Sequence, residues 1–305
     1  MPPVRRVELP GSGPEDVVVD ELGRILTGIE DGRILRLTPG QNTIETVARI
    51  PGRPLGLEAL PGGGVLVCNA DGQLLEIDPE RATVEVLVDR GGALGLSYCS
   101  NAVRATDGTI YFSESSRRFP LAHYRADFLE HSSTGRVMRR DAAGHVDVLL
   151  DGLDFANGLA LSSDESFLVV AETGGYRLTR IWLRGANAGR SDTLVDNLPG
   201  FPDNLGRGSD GSILVAMFAP RDPLLDRLLA RPGWIRKVVW ATPQRLQPQV
   251  ARTAWVLGVD ERGKIVRDLQ RSGDTYHAVT GVCEHGGTMY IASIEESAIG
   301  AVRLG

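Results

Sequence analysis

Pairs of short stretches, in which β-branched and aliphatic residues alternate with polar ones, recur six times along the chain, each pair joined by an Asp-Gly, Gly-Gly or similar polar turn. Alternation at period two marks a half-buried strand, and a Gly-bearing turn between two such runs marks a hairpin. The hairpins run from Val17 to Leu26, Leu57 to Val67, Val103 to Phe112, Leu159 to Val170, Leu205 to Val215 and Val282 to Ile291. After most of them a further polar turn leads to a third strand, as at Arg33–Leu37, Gln73–Ile77 and Arg136–Arg139. A fourth follows at Thr43–Arg49, Val84–Val88 and Val146–Leu150. Four strands in a repeat of roughly 40–50 residues predict an all-β, six-bladed β-propeller, with residues 1–305 as one domain. The sixth repeat ends at Leu304 one strand short. The stretch Val4–Leu9 can supply that strand and close the ring, which removes an open edge.

Two segments interrupt the repeat. Residues 116–133 carry Arg117, Arg118, Phe119, His123, Tyr124 and Phe128. Residues 220–252 place Leu224, Leu225, Leu228 and Leu229 at helical spacing ahead of Trp234, Ile235, Val238, Val239 and Trp240. Each follows the second strand of its blade, which ends on the face where the first strand begins. Both insertions, short and at least partly helical, are therefore expected to form a lid over one mouth of the channel. The second is also a candidate contact for a homo-oligomer or a membrane surface.

Composition narrows the partners. A net charge of −6 argues against a nucleic-acid partner, because phosphate binding needs a basic face. No apolar run is long enough to span a bilayer, and no apolar stretch follows Met1–Arg6, so neither a transmembrane segment nor a secretory signal is expected. Cys68, Cys99 and Cys283 are odd in number and far apart, which fits reduced thiols in a cytoplasmic protein better than a disulfide framework.

The candidate chemistry comes from phase. In a propeller the first strand of each blade lines the channel. Counting back roughly seven or eight residues from each hairpin glycine gives Glu15, Leu55 or Gly56, Asn101, Asn157, Asp203 and Val279 or Thr280. Four of these six positions carry a carboxylate or carboxamide. Turn chemistry accounts for any one of them alone, since Asn-Gly and Pro-Asp-Asn favour turns for local reasons. It does not account for four at one phase. Two carboxylates and two amides converging on the axis make a hard, all-oxygen site that suits Ca2+ and leaves positions for substrate.

The motifs carrying these residues resemble the strictosidine synthase-like, adipocyte plasma membrane-associated protein branch of the calcium-dependent phosphotriesterase superfamily, which also holds gluconolactonases and paraoxonases. The likeness spans nearly the whole chain. It is strongest at Tyr111–Ser116, Phe155–Ser162, Val169–Thr173 and Leu198–Asn204. The resemblance implies that Glu15, Asn101, Asn157 and Asp203 hold a catalytic calcium, with Asn204 as an additional ligand. Three departures accompany it. Thr280 stands where strictosidine synthase has its catalytic Glu, which argues against amine condensation. Asp16 is kept but Ala102 follows Asn101, which weakens a second, structural calcium site. Ala70 stands where paraoxonases have a His proposed as base.

These residues predict a calcium-dependent hydrolase of small esters or lactones, the metal polarising the carbonyl. Asp203 is the expected catalytic group, acting as nucleophile. A water-activating base is the other route, with Glu114, Glu172 and His277 as candidates. Phe119, Tyr124, Glu172, Phe218, Trp234 and His277 are the expected substrate-binding residues. Glu284 and His285, at a hairpin turn, are read as structural. Two other functions stay open: a non-catalytic, metal-stabilised binding propeller, and a lyase or isomerase using the same metal.

Overall fold

The computed structural model describes residues 1–305 apart from Asn42, Ala93, Ala230, 233–235, 237–250 and Asp274. Its first strand, β1 (Arg5–Glu8), pairs with the last, β24 (Ala298–Arg303), in antiparallel register from Arg5↔Ala301 to Glu8↔Ala298. That pairing joins the two ends of the chain in one four-stranded sheet with β22 (Val279–His285) and β23 (Thr288–Ser293).

The other five sheets are each built from consecutive strands. Blade one is β2 (Val17–Val19), β3 (Ile25–Gly28), β4 (Arg33–Leu37) and β5 (Ile44–Arg49). Blade two is β6 (Pro54–Ala59), β7 (Val65–Asn69), β8 (Leu74–Asp78) and β9 (Thr83–Val88). Blade three is β10 (Ala102–Arg104), β11 (Ile110–Glu114), β12 (Gly135–Arg140) and β13 (Val146–Leu153). Blade four is β14 (Ala156–Leu161), β15 (Phe167–Glu172), β16 (Arg177–Trp182) and β17 (Ser191–Val195). Blade five is β18 (Gly200–Arg207), β19 (Ile213–Pro220), β20 (Thr253–Val259) and β21 (Ile265–Ser272). The fold is a six-bladed β-propeller, as the repeat predicts.

Burial follows position in the blade. Second strands such as Phe167–Glu172 are buried at every residue, because neighbouring blades cover both of their faces. Outer strands such as Thr83–Val88 are mostly exposed. The core lies between blades: Phe167, Val169 and Ala171 of blade four pack with Leu205, Val215 and Met217 of blade five.

The first hairpin turns of blades one, two, three and five share one hydrogen-bond pattern. Gly23 N–H donates to Asp20 O (2.9 Å), and the same bond recurs from Gly63 to Leu60 (3.1 Å), Gly108 to Ala105 (3.0 Å) and Gly211 to Gly208 (3.0 Å). Each turn ends on a residue in the left-handed region, which glycine enters without steric cost. Blade four uses Glu165 there instead, at φ 54°. Its carboxylate accepts from Thr106 N–H and Oγ1, both at 2.9 Å, and ties the turn to blade three.

The 116–133 insertion lies between β11 and β12. It forms a 3-10 turn (Leu121–His123) that runs into α1 (Tyr124–Glu130). Asp127, buried within α1, accepts from Ser116 Oγ at 2.5 Å and Ser132 Oγ at 2.7 Å, which fastens the helix to both ends of its own insertion. Of the second insertion, α2 (Pro223–Leu229) follows β19, and Leu225 packs on the core between blades four and five. No helix among the described residues is long and apolar enough to cross a membrane.

Candidate metal centre and active site

Glu15 and Asn101 stand just before the first strands of blades one and three, and Asn157 and Asp203 lie within the first strands of blades four and five. All four are buried, at 3–8% exposure. Because the strands start around one axis, residues far apart in sequence touch. Asn204 Nδ2 donates to Glu15 Oε1 at 3.0 Å, and Asn101 Nδ2 donates to Asn204 Oδ1 at 3.1 Å. Asn157 directs Nδ2 at Asp203 Oδ1 (2.6 Å) and Thr173 Oγ1 (3.2 Å). Thr280, from blade six, donates its hydroxyl to Glu15 O at 2.6 Å. The five expected metal ligands thus form two hydrogen-bonded groups, Glu15–Asn204–Asn101 and Asn157–Asp203, which meet where Asp203 adjoins Asn204.

Close approach of the inner strands depends on glycines just past this phase. A Cβ on Gly56 would lie 2.5–2.7 Å from Asn101 and Ser100. One on Gly158 would lie 2.4–2.6 Å from Asn204 and Leu205, and one on Gly281 would lie 2.4–3.0 Å from Asp16 and Glu15. Sequence reading passes over this ring, although each glycine directly follows a channel position: Leu55, Asn157 and Thr280.

The electrostatics are those of crowded carboxylates. Burial drives the Glu15 carboxyl well above its ordinary value, and the charges of Asp16 and Asp203 add to the effect. Burial, then the charge of Asp16, pushes Asp203 up to about 8. Glu15 Oε2 is buried with no hydrogen-bond partner among the described residues. An uncompensated acceptor in such a cluster fits a hard cation, for which the surrounding carboxylates and carboxamides carry oxygens of suitable type. Among the described residues no group of three or more His, Cys, Asp and Glu is gathered as for a metal, so a centre built on the five expected ligands relies on carboxamides for three of them.

Asp16 serves another purpose. Its two oxygens accept the backbone N–H groups of Val17 (2.8 Å) and Leu57 (2.9 Å), joining blade one to blade two. Both Asp16 oxygens are thus engaged by backbone donors, and Ala102, after Asn101, has no side-chain oxygen to add to a second ion site.

A cavity of about 560 Å³, counting space open to solvent, sits over the cluster. Glu15, Asn157, Asp203, Thr173, Ser100, Ser115 and Thr280 supply its polar lining, while Leu55, Tyr98, Phe155, Phe218 and Ile294 form apolar walls. Leu121, Tyr124 and Phe128 reach it from the first insertion. Phe128 is held edge-on to Phe155 (4.7 Å between centroids) and stacked on Phe201 (5.7 Å).

Of the expected substrate-binding residues, Tyr124 and Phe218 line this cavity. Phe119 does not. The Ser116 hydroxyl accepts from Arg118 and Phe119 N–H at 3.1 and 3.0 Å, turning the chain so that the Phe119 ring lies near the Arg118 guanidinium (5.6 Å). Glu172 is also absent from the lining. Arg177 donates to it at 2.6 and 2.7 Å, Thr179 Oγ1 at 2.5 Å and Asp154 N–H at 2.8 Å. Glu114 is committed in the same way, to Arg136 and Ser97 N–H, both at 2.5 Å. His277 faces Glu295 (3.1 Å) and Glu296 (2.7 Å), and Ile294 contributes the wall instead. Trp234 lies outside the described residues. Tyr98, Leu121, Phe155 and Ile294 are wall residues that the strand repeat does not single out.

Residues 99–186 match the strictosidine synthase family, and residues 3–37 match the N-terminal part of strictosidine synthase-like proteins. The chain is 33% identical to the adipocyte plasma membrane-associated protein of Mus musculus, over 92% of this chain and 73% of that one. The chain belongs to the strictosidine synthase-like family. Among solved structures, a gluconolactonase from Xanthomonas campestris shares the fold with TM-score 0.69 at 15% identity, covering 99% of this chain and 90% of the other. The calcium-binding protein regucalcin from Agrobacterium tumefaciens does so with TM-score 0.66 at 14% identity, covering 98% and 93%. This strictosidine synthase-like chain therefore has a fold shared with lactonase-type propellers. Where the resemblance to strictosidine synthase calls for a catalytic Glu, it has Thr280, 2% exposed and bonded to Glu15 O.

Proposed function

We propose that the protein is a calcium-dependent hydrolase of small esters or lactones. One observation carries the reading: Glu15 Oε2, a buried carboxylate oxygen without a partner among the described residues, sits within a cluster of oxygen donors at the floor of an apolar-walled cavity. Glu15, Asn101, Asn157, Asp203 and Asn204 are the residues that would hold the ion. A bound calcium supplies a Lewis acid toward the substrate carbonyl and favours the ionised carboxylates.

The chain's own groups then have distinct tasks. Asn157 fixes one oxygen of Asp203 at 2.6 Å and so orients the carboxylate at the cavity floor. Asp203 attacks the carbonyl carbon and displaces the alkoxide, or opens the lactone, the released oxygen taking a proton from water; a second water cleaves the resulting mixed anhydride, releasing the acid and restoring the carboxylate. Glu114 and Glu172 are poor candidates for the base, since each is held by an arginine. The walls of Leu55, Tyr124, Phe128, Phe155 and Phe218 exclude water and favour an acyl or alcohol group that is apolar or aromatic. The gluconolactonase and regucalcin folds support the hydrolase and the calcium respectively, by analogy of architecture.

The test is a screen of aryl esters, aliphatic lactones and phosphotriesters in chelator and with calcium restored. Turnover that disappears with chelator, returns with calcium and is lost in Asp203→Asn supports the proposal. Absence of turnover on every class in calcium would leave a metal-stabilised binding propeller, and a non-hydrolytic product would indicate a lyase or isomerase.

A further inference from the structure

Outside the channel, the described residues bring two side chains of matching chemistry together that are 31 positions apart in sequence. Cys68 Sγ, on β7 of blade two, lies 2.9 Å from Cys99 Sγ, on the segment leading into β10 of blade three. Both residues are fully buried, in the same inter-blade core cluster as Leu66, Leu74, Phe112 and Met138. The separation is inside van der Waals contact for two sulfurs, and about 0.9 Å longer than a disulfide bond of ~2.05 Å.

The backbone on either side is already fixed. Cys99 N–H donates to Asn69 O at 3.0 Å, so the residue after Cys68 is bonded directly to Cys99. The Asn69 side chain is itself held, donating to Pro51 O (3.1 Å) and accepting from Gln73 N–H (2.9 Å). Joining the sulfurs therefore needs only a small side-chain adjustment. The third thiol, Cys283, packs in a different cluster, between blades one and six.

We propose that Cys68 and Cys99 are an oxidative modification site, a latent crosslink between blades two and three that closes on reaction with a hydroperoxide. One thiol attacks the peroxide, giving a sulfenic acid and releasing the alcohol, or water when the oxidant is hydrogen peroxide. The second thiol then attacks the sulfenic sulfur, forming the disulfide and releasing one water. Two thiol hydrogens are lost and one peroxide O–O bond is reduced. Burial restricts the oxidant to one small enough to enter the blade seam, and it shields the sulfenic acid from further oxidation. The product ties β7 to the segment that delivers Asn101 to the channel. It restricts the unfolded chain, so its effect is on stability.

The experiment treats the folded, full-length protein with hydrogen peroxide, quenches it, denatures it and counts thiols. The untreated chain has three cysteines, so the expected count falls from three to one, with Cys283 remaining. The intact mass falls by two hydrogens, a peptide joining Cys68 to Cys99 is recovered, and Tm rises by several degrees. A dithiol reductant reverses all of these changes. Three thiols after treatment, a mass gained as oxygen, a crosslink through Cys283 or a lower Tm would each overturn the proposal.

Discussion

Asn204 donates its side-chain amide to Glu15 Oε1 at 3.0 Å, a bond that spans 189 positions of sequence and joins blade five to blade one. Asn204 is fully buried, and its Oδ1 accepts from Asn101, so three blades meet at one carboxamide. Replacing it leaves two buried polar groups without their partner. Asn204→Leu should destabilise the protein by about 2–6 kcal/mol, at ~1–3 kcal/mol for each group left unsatisfied. Urea denaturation of both proteins in chelator measures this, and a calcium titration should show weaker binding in the variant.

Gly158 occupies space that no side chain can share. Its missing Cβ would lie 2.4 Å from Leu205 N and 2.5 Å from Asn204 Cα, both backbone atoms. Gly158→Ala must push blade four away from blade five beside two of the proposed ligands. A cost of about 1–3 kcal/mol is expected, read as a lower Tm. Gly211→Ala provides the contrast. Nothing lies near its Cβ, and its cost should come only from its left-handed backbone at φ 80°.

The strand repeat, the ring closure by the N-terminal strand and the phase of Glu15, Asn101, Asn157 and Asp203 are legible in the sequence because each rests on a local pattern copied from blade to blade. What the sequence hides is pairing. Glu114 and Glu172 look like free carboxylates at the channel mouth, yet each ends a second strand opposite an arginine that begins the third, Arg136 and Arg177. In blade two the corresponding pair is Asn69 and Gln73, bonded side chain to side chain at 3.0 Å. An acidic residue ending one strand and an arginine opening the next is a signal that reading across the turn would have caught. Phe119 misleads for another reason, since Ser116 turns the insertion and gives the lining to Leu121, Tyr124 and Phe128. Nothing local marks Cys68 and Cys99 as neighbours.

The pH response of the metal-free protein follows from Asp203. Its folded value of about 8 lies above the ordinary carboxylate value of 3.8, so folding takes up a proton. The stability this contributes is full below about pH 4 and is lost as pH rises through about 8. Glu15, raised in the same direction, adds to the trend. In chelator, Tm should therefore fall between mildly acidic and mildly alkaline pH. Because protons compete with the ion, the rise in Tm on adding calcium should grow over the same range. A series of thermal melts with and without calcium checks both slopes.

Phe128 anchors the first insertion on the cavity through Phe155 and Phe201. Truncation to Ala removes part of the apolar wall and leaves the donor cluster intact. For an aryl ester, KM should rise by about tenfold while kcat changes little, the pattern of lost uniform binding. A small aliphatic lactone should be affected less, which a side-by-side determination of kcat and KM would show.

The most direct measurement is calorimetric titration of calcium into chelator-treated protein, with Glu15→Gln and Asp203→Asn alongside. Convergence of the blade-borne oxygens on one ion predicts a single calcium per chain, and binding reduced at least tenfold in each variant. Protein that takes up no calcium, or binds it equally well without either carboxylate, would contradict the account.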